Sequence, residues 1–303
     1  MTSRRHFLVV AGTASFASRR LASRQVATGP ITSAEIPGEL RPITRPGTGD
    51  NRATYLPDGK TLVFASKRTG RSQLWGTDPD GTHPRRLHVS TANDFGRVAP
   101  SPDGTQICFS SDREKQIAIF VVDLASGKET LLSDIAFWSF GPTWSSEDLI
   151  AYFSKKGGNI LNIWTVRPDG SQARATTNRP GACRQPWWSP DGSTLAFSAD
   201  GGTHAFQIWL VAADGSNLRP ITQQGSSMQP FWGPDGERIA VSAKIDEPRF
   251  RIYVMHREGS DLRPIRQPEG VDNVHPAWSP DGRSIVFTSG MGDQSFLQGF
   301  DLA

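Results

Sequence analysis

The sequence predicts an all-β chain, a six-bladed β-propeller of four-stranded antiparallel blades whose last blade is closed by an N-terminal strand. Three observations predict it. A turn phrase recurs with a period near 44 residues, the strands around it keep one order, and a strand missing from the last repeat stands at the other end of the chain.

The phrase is clearest as QPWWSPDG (Gln185 to Gly192), QPFWGPDG (Gln229 to Gly236) and HPAWSPDG (His275 to Gly282), with looser copies RVAPSPDG from Arg97 and RATYLPDG from Arg52. The aspartates fall at Asp58, Asp103, Asp191, Asp235 and Asp281, and a degenerate copy, GPTWSSEDLIAYFS, puts Glu147 in the missing place, so that successive intervals are 45, 44, 44, 44 and 46 residues. A period of this length marks a repeat architecture of six units.

Each repeat reads the same way. An inner strand ends in the aromatic phrase and the Pro-Asp-Gly turn follows. Proline presets the second position of a type I turn, aspartate suits the third, and glycine takes the left-handed conformation that opens the next strand. A second, apolar strand comes next, as TLAFSA (Thr194 to Ala199), then a variable loop and a third strand, QIWLVA (Gln207 to Ala212). An Asp-Gly turn at Asp80, Asp169 or Asp214 leads to a fourth, as LRPIT (Leu218 to Thr222). The central strands are apolar at consecutive positions, which requires cover on both faces, and blades packed side by side supply it. The last repeat runs out at SFLQGFDLA after its third strand, while ELRPIT (Glu39 to Thr44) nearly repeats NLRPIT (Asn217 to Thr222). Pairing these ends closes the ring and removes two exposed sheet edges. The propeller is thus expected over residues 38–303, and the aspartates of the phrase are expected to be turn residues.

The composition agrees. Of the 303 residues 36% are hydrophobic, with 30 Gly, 22 Pro and 9 Trp, a mixture that favours short strands over long helices. No stretch reaches the length of a membrane-spanning helix. Residues 1–30 read as an export signal and linker: SRRHFL (Ser3 to Leu8) sets paired arginines before an apolar run that ends in small residues at Ser15 and Ala17. The pair Arg4 and Arg5 resembles a twin-arginine address. Five arginines and no acid precede Glu35, so the formal charge of +3 becomes −2 without them. A nucleic-acid partner, which needs a persistent basic stripe, loses its support. Cys108, inside QICFSS, reads as a buried core residue, and Cys183 is expected in the loop RPGACRQ. Neither belongs to a metal-binding spacing or a disulfide framework.

Aromatic-Ser-Pro-Asp-Gly turns, a 44-residue period, six blades and an export signal together resemble the propeller of the TolB family, periplasmic components of the Tol–Pal system. The resemblance covers about residues 38–303. It implies the propeller fold and a partner protein of the envelope, the peptidoglycan-associated lipoprotein, received at the channel mouth. TolB proteins carry an α/β domain before the propeller; no counterpart is expected between the export signal and Glu39, and that domain's role is not carried over. Fold alone does not assign function.

The strand order puts the variable loops at one end of the ring, where recognition is usually carried. The residues matching Gln185 form a ring there: Arg52, Arg97, Gly141, Gln185, Gln229 and His275. Such a mouth could bind an acidic or amide-rich loop, or it could be a solvated polar rim. Phe137, Trp138 and Phe140, in AFWSFGP, are either an exposed anchor for a partner or residues packed beneath a loop. The mixed charges of KRTGR (Lys67 to Arg71), DREKQ (Asp112 to Gln116), KKGGN (Lys155 to Asn159) and DEPRFR (Asp246 to Arg251) suit solvated loops.

No catalytic residue and no cofactor are expected. G-x-S-x-G and H-E-x-x-H motifs are absent from the sequence. The alternative is a carbohydrate-active or metal-dependent propeller like the oligogalacturonate lyases, with His204 and His275 on the proper face and Gln185 and Gln229 beside them; His83, His88 and His256 belong elsewhere. Two histidines fall short of the three or more protein ligands such a site wants. The expected protein is a monomeric binding module.

Overall fold

The computed structural model describes residues 34–114, 116–200 and 205–303. These form six four-stranded antiparallel sheets. Blade 1 spans Asn51–Arg86, blade 2 Asp94–Leu131, blade 3 Ser139–Ala175, blade 4 Cys183–Pro220 and blade 5 Ser226–Pro264. Blade 6 combines Asn273–Leu302 with the N-terminal strand Gly38–Pro42.

Burial follows the apolar runs. The second strands Leu62–Ser66, Ile150–Ser154 and Ser284–Ser289 are buried at every residue. Each sheet face packs on the next blade: Val63 and Leu74 of blade 1 share a core with Ile107 and Phe109 of blade 2, and Cys108 and Val121 share one with Ile150 and Tyr152 of blade 3. The core between blades 5, 6 and 1 is continuous, joining Ile252, Ile285 and Phe64. A ring thus satisfies the demand of a sheet that is apolar on both sides.

The seam lies where expected. Gly38 pairs with Leu302 and Pro42 with Gln298, antiparallel. The likeness of ELRPIT to NLRPIT has a structural meaning. Thr44 Oγ1 accepts the Leu297 amide at 2.9 Å, as Thr222 Oγ1 accepts that of Ile208 at 2.9 Å. Ahead of the strand, Ile36 bridges to Ile265 and Arg251 reaches Glu35 at 3.3 Å, so the N-terminal segment also grips blade 5.

Two local expectations are corrected. The outer strand of blade 4 is Arg219–Pro220 rather than five residues, as short as Arg85–Arg86 and Arg174–Ala175 in blades 1 and 3, because beyond it the Ile208 amide goes to Thr222 Oγ1 instead of a backbone carbonyl. Cys183 is not in a loop. It begins the inner strand of blade 4, pairs with Ala199 and is fully buried, which pushes its thiol pKa up. Cys108 is buried in its strand, as expected.

The Pro-Asp-Gly aspartates act as turn residues. Asp103 Oδ1 accepts the Thr105 amide at 3.0 Å, and Asp191 and Asp281 do the same for Ser193 and Arg283. Hydroxyls of Ser101, Ser189 and Ser279 add a second bond, and together these hold the three carboxyls below their usual range. In the degenerate blade 3 the left-handed position of glycine is taken by Asp148, at φ 59°.

Candidate functional site at the channel mouth

Every inner strand carries a β-bulge at the ring position. In blade 4 the register slips between Arg184 and Trp187, so Gln185 and Pro186 face one residue of the second strand. Blades 1, 3, 5 and 6 slip at the matching place. The bulged residues Arg52, Gln185, Gln229 and His275 have φ of 56°, 54°, 58° and 57°. Four non-glycine residues in the left-handed region cost of order 1–3 kcal/mol each, and such strain concentrates at functional sites. A bulge re-aims a side chain; here the bulged residues all border one recess.

Hydroxyls of the preceding blade lock four of the bulges. Thr288 Oγ1 accepts the Arg52 amide at 3.0 Å, Ser110 Oγ that of Gly141 at 3.1 Å, Ser198 Oγ that of Gln229 at 2.9 Å and Ser242 Oγ that of His275 at 3.1 Å. These hydroxyls stand seven residues beyond the aspartate of each turn, where blade 1 has Ala65. The lock is therefore missing in front of blade 2, and there the bulge is one residue longer: Gly96, Arg97 and Val98 face Phe109 between the Phe95–Ser110 and Ala99–Cys108 pairs.

Arg52, Arg97, Gly141, Gln185, Gln229 and His275 line a single recess together with Phe140, Phe153 and Pro186. Arg52 Nε donates to His275 Nε2 at 3.1 Å, and Gln229 Nε2 lies 2.9 Å from the same nitrogen. With two donors on Nε2, the imidazole is the neutral tautomer carrying its proton on Nδ1, an assignment from the network. Burial, then the charges of Arg52 and Arg97, hold the His275 pKa well below its ordinary value. The Arg97 guanidinium lies 4.9 Å from the Trp187 ring and 5.2 Å from Phe231, two rings stacked at 4.1 Å. It donates to Pro230 O at 3.5 Å and Pro276 O at 3.3 Å. Burial and the neighbouring Arg52 bring its pKa down to about 9; burial also lowers that of Arg52. The free volume of the recess is about 20 Å³, roughly the room one water needs.

Of the three aromatics, Phe140 borders the recess. Trp138 stacks on Phe140 at 5.6 Å and meets Phe153 edge-on at 5.6 Å. Both are partly buried and pack against the core of blades 3 and 4, and Phe137 is likewise partly buried. The charged loops spend their charges locally: Lys67 on Asp293 at 2.9 Å, Arg68 on Asp50 at 2.7 Å and Arg251 on Glu247 at 3.0 Å. His83 pairs with Asp78 and His256 with Glu237 near the outer strands. His204 lies outside the described residues, as do Arg4 and Arg5. Among the described residues no group of three His, Cys, Asp or Glu could hold a metal, and no helix is long and apolar enough to cross a membrane.

Sequence reasoning missed the opposite end of the channel. A recess of about 290 Å³ opens there among the turn prolines, lined by Tyr55, Trp144, Trp187, Phe231, Trp232 and Trp278. The signal was the aromatic three residues before the turn aspartate in most repeats, read only as strand punctuation.

Fold and site define a class: closed six-bladed propellers with a polar channel mouth built on bulged inner strands. Within it, residues 34–189 and 99–301 match the model of the TolB beta propeller domain, and the chain belongs to that family. A protein TolB homolog of Chlorobium luteolum is 30% identical over 168 residues, 53% of this chain and 37% of the relative. The chain thus matches well under two thirds of that relative's length. Among solved structures, a TolB-type protein of Agrobacterium tumefaciens superposes with a TM-score of 0.65 at 22% identity, covering 84% of this chain and 91% of that one. An oligogalacturonate lyase in complex with manganese superposes at 0.62 and 16% identity, covering 89% and 95%. Both likenesses establish the fold.

Proposed function

We propose that this chain is an exported propeller acting as a protein-binding module of the cell envelope, and that its partner, a protein like the peptidoglycan-associated lipoprotein, docks at the channel mouth. The observation that carries this reading is the set of strained bulges at one place in successive blades, whose side chains converge on one recess. A rigid ring presents them with little ordering cost on binding. Membership of the TolB propeller family supports a Tol–Pal-like context, and the Arg4–Arg5 signal supports export.

The test is capture of envelope proteins by the full chain beside a variant with Arg52→Ala, Arg97→Ala and His275→Ala. A lipoprotein held by the first and lost by the second supports the proposal. Equal capture by both, or none, rejects the mouth as the docking site. A second reading, lyase-like metal catalysis, draws on His275, Gln185 and Gln229 standing together at the mouth. It requires manganese to be retained through dialysis and galacturonan to be cleaved, both lost with His275→Ala.

A further inference from the structure

The mouth carries two positive charges, Arg52 and Arg97, with no acidic side chain among the described residues that line it. Arg52 bonds to His275 Nε2 at 3.1 Å and to Asn51 Oδ1 at 3.5 Å, and Arg97 to the carbonyls of Pro230 and Pro276 at 3.5 and 3.3 Å. All four acceptors are neutral, and three of the four bonds are long for N–H donors. Elsewhere the same fold treats partly buried arginines differently. Arg68, over Trp75 at 4.6 Å, holds the fully buried Asp50 at 2.7 Å. Arg113, over Phe120 at 4.5 Å, holds the fully buried Asp94 at 2.6 Å. At the mouth, the ring-stacked arginines have the rings and lack the acid.

Neighbouring groups make the recess rich in donors. Gln229 Oε1 accepts from Ser242 Oγ at 2.7 Å and from the His275 amide at 2.9 Å, and Ser198 Oγ stands 3.3 Å from Gln185 Oε1. The amide oxygens are thus engaged within the wall. His275 Nε2 is occupied by its two donors, while Nδ1, which carries the proton, is buried with no partner among the described residues. An amide ligand would bring an NH₂ to a wall whose acceptors are taken. A carboxylate brings only acceptors, and guanidinium groups are its best-matched donors. The free space of about 20 Å³ holds about one water, so a carboxylate seats only as Arg97 withdraws from its carbonyls, and a whole ring is excluded.

We infer that the channel mouth is a carboxylate receptor, in which one aspartate or glutamate side chain on a loop of the partner seats against Arg52 and Arg97 and draws Arg97 from the Pro230 and Pro276 carbonyls. This rests on the partner-binding reading above and narrows it to acidic side chains. The buried, mutually repelling arginines then have a physical reason. They weaken the free protein and are neutralised in the complex.

The test uses the full chain and two blocked tripeptides, acetyl-Gly-Glu-Gly-amide and its Gln counterpart, with digalacturonate as a third probe. Binding is followed by the indole N–H resonances and by melting temperature. The expected result is a Glu peptide bound at least about tenfold tighter than the Gln peptide, a preference that weakens with salt. Arg97→Met should abolish it, Arg97→Lys should keep part of it, and Arg97→Met without ligand should melt no lower than the native chain. Equal or absent response to the two peptides overturns the inference. So does an Arg97→Met protein that melts lower and still discriminates, or digalacturonate binding far tighter than the Glu peptide. If envelope protein is captured while the peptides are not told apart, the carboxylate inference falls and the partner reading stands. Discrimination without capture upholds the carboxylate site and rejects the envelope protein as its occupant.

Discussion

Ile43 and Ile221 occupy the same place in LRPIT, one contributed by the N-terminal strand and one within a continuous blade. Their exposures are 7% and 1%, and their amides bond to Leu297 O at 3.0 Å and Ile208 O at 2.8 Å. Replacing either by alanine removes three buried carbons, about 2.4 kcal/mol of transfer free energy at about 0.8 per carbon. The cavity left behind raises the cost to about 3 kcal/mol. For a domain of this size that lowers the melting temperature by roughly 5–10 °C, which calorimetry resolves. If the seam holds as firmly as a chain-continuous blade, Ile43→Ala and Ile221→Ala cost about the same. A seam that opens in solution would spare the first variant. Ile43→Ala melting within a degree of the native chain, beside the full drop for Ile221→Ala, would therefore refute closure by the N-terminal strand.

Two further outcomes follow from buried charge. His275 titrates well below its ordinary value in the folded chain, so the unfolded chain binds the proton first as pH falls below about 6.5, and stability drops by about 1.4 kcal/mol per further pH unit until the folded imidazole titrates. Urea unfolding at pH 7.5 and 5 should show this loss, and His275→Gln should remove that proton's share of the slope; an unchanged slope would contradict a neutral, buried His275. Arg68→Met leaves the fully buried Asp50 without its cation, at a cost of about 3–5 kcal/mol, and adding Asp50→Asn should restore much of it. A double variant as unstable as the single one would show that the arginine stem, packed over Trp75, matters more than the pair.

The legible part of this protein is the part written locally. A Pro-Asp-Gly turn needs only its own four residues, and strand burial shows in a run such as Leu62–Ser66, so blade number, order and seam could be read from the repeat. The ring residues were legible too, because the bulge sits at a constant offset from each turn and the repeat carries that offset faithfully. Reading failed at strand ends, which neighbours set: the Thr222 hydroxyl takes the Ile208 amide and ends an outer strand early, and the inner strand of blade 4 reaches back to bury Cys183.

What the ring residues do to one another was decided only in three dimensions. Arg52 meets His275 across 223 positions of sequence, and Arg97 reaches Pro276 across 179. A 44-residue period says nothing about which side chains face each other across a channel. Whether an arginine finds an acid depends on that facing. Arg68 and Arg97 look alike in sequence, yet the first is paired with Asp50 and the second lies over two aromatic rings with only carbonyls for acceptors. The sequence by itself determined the ring and where its openings lie, because turns and strands are short-range. Ring closure determined the charge, the strain and the protonation of the mouth, because those are set by neighbours that come together only when the last blade meets the first strand.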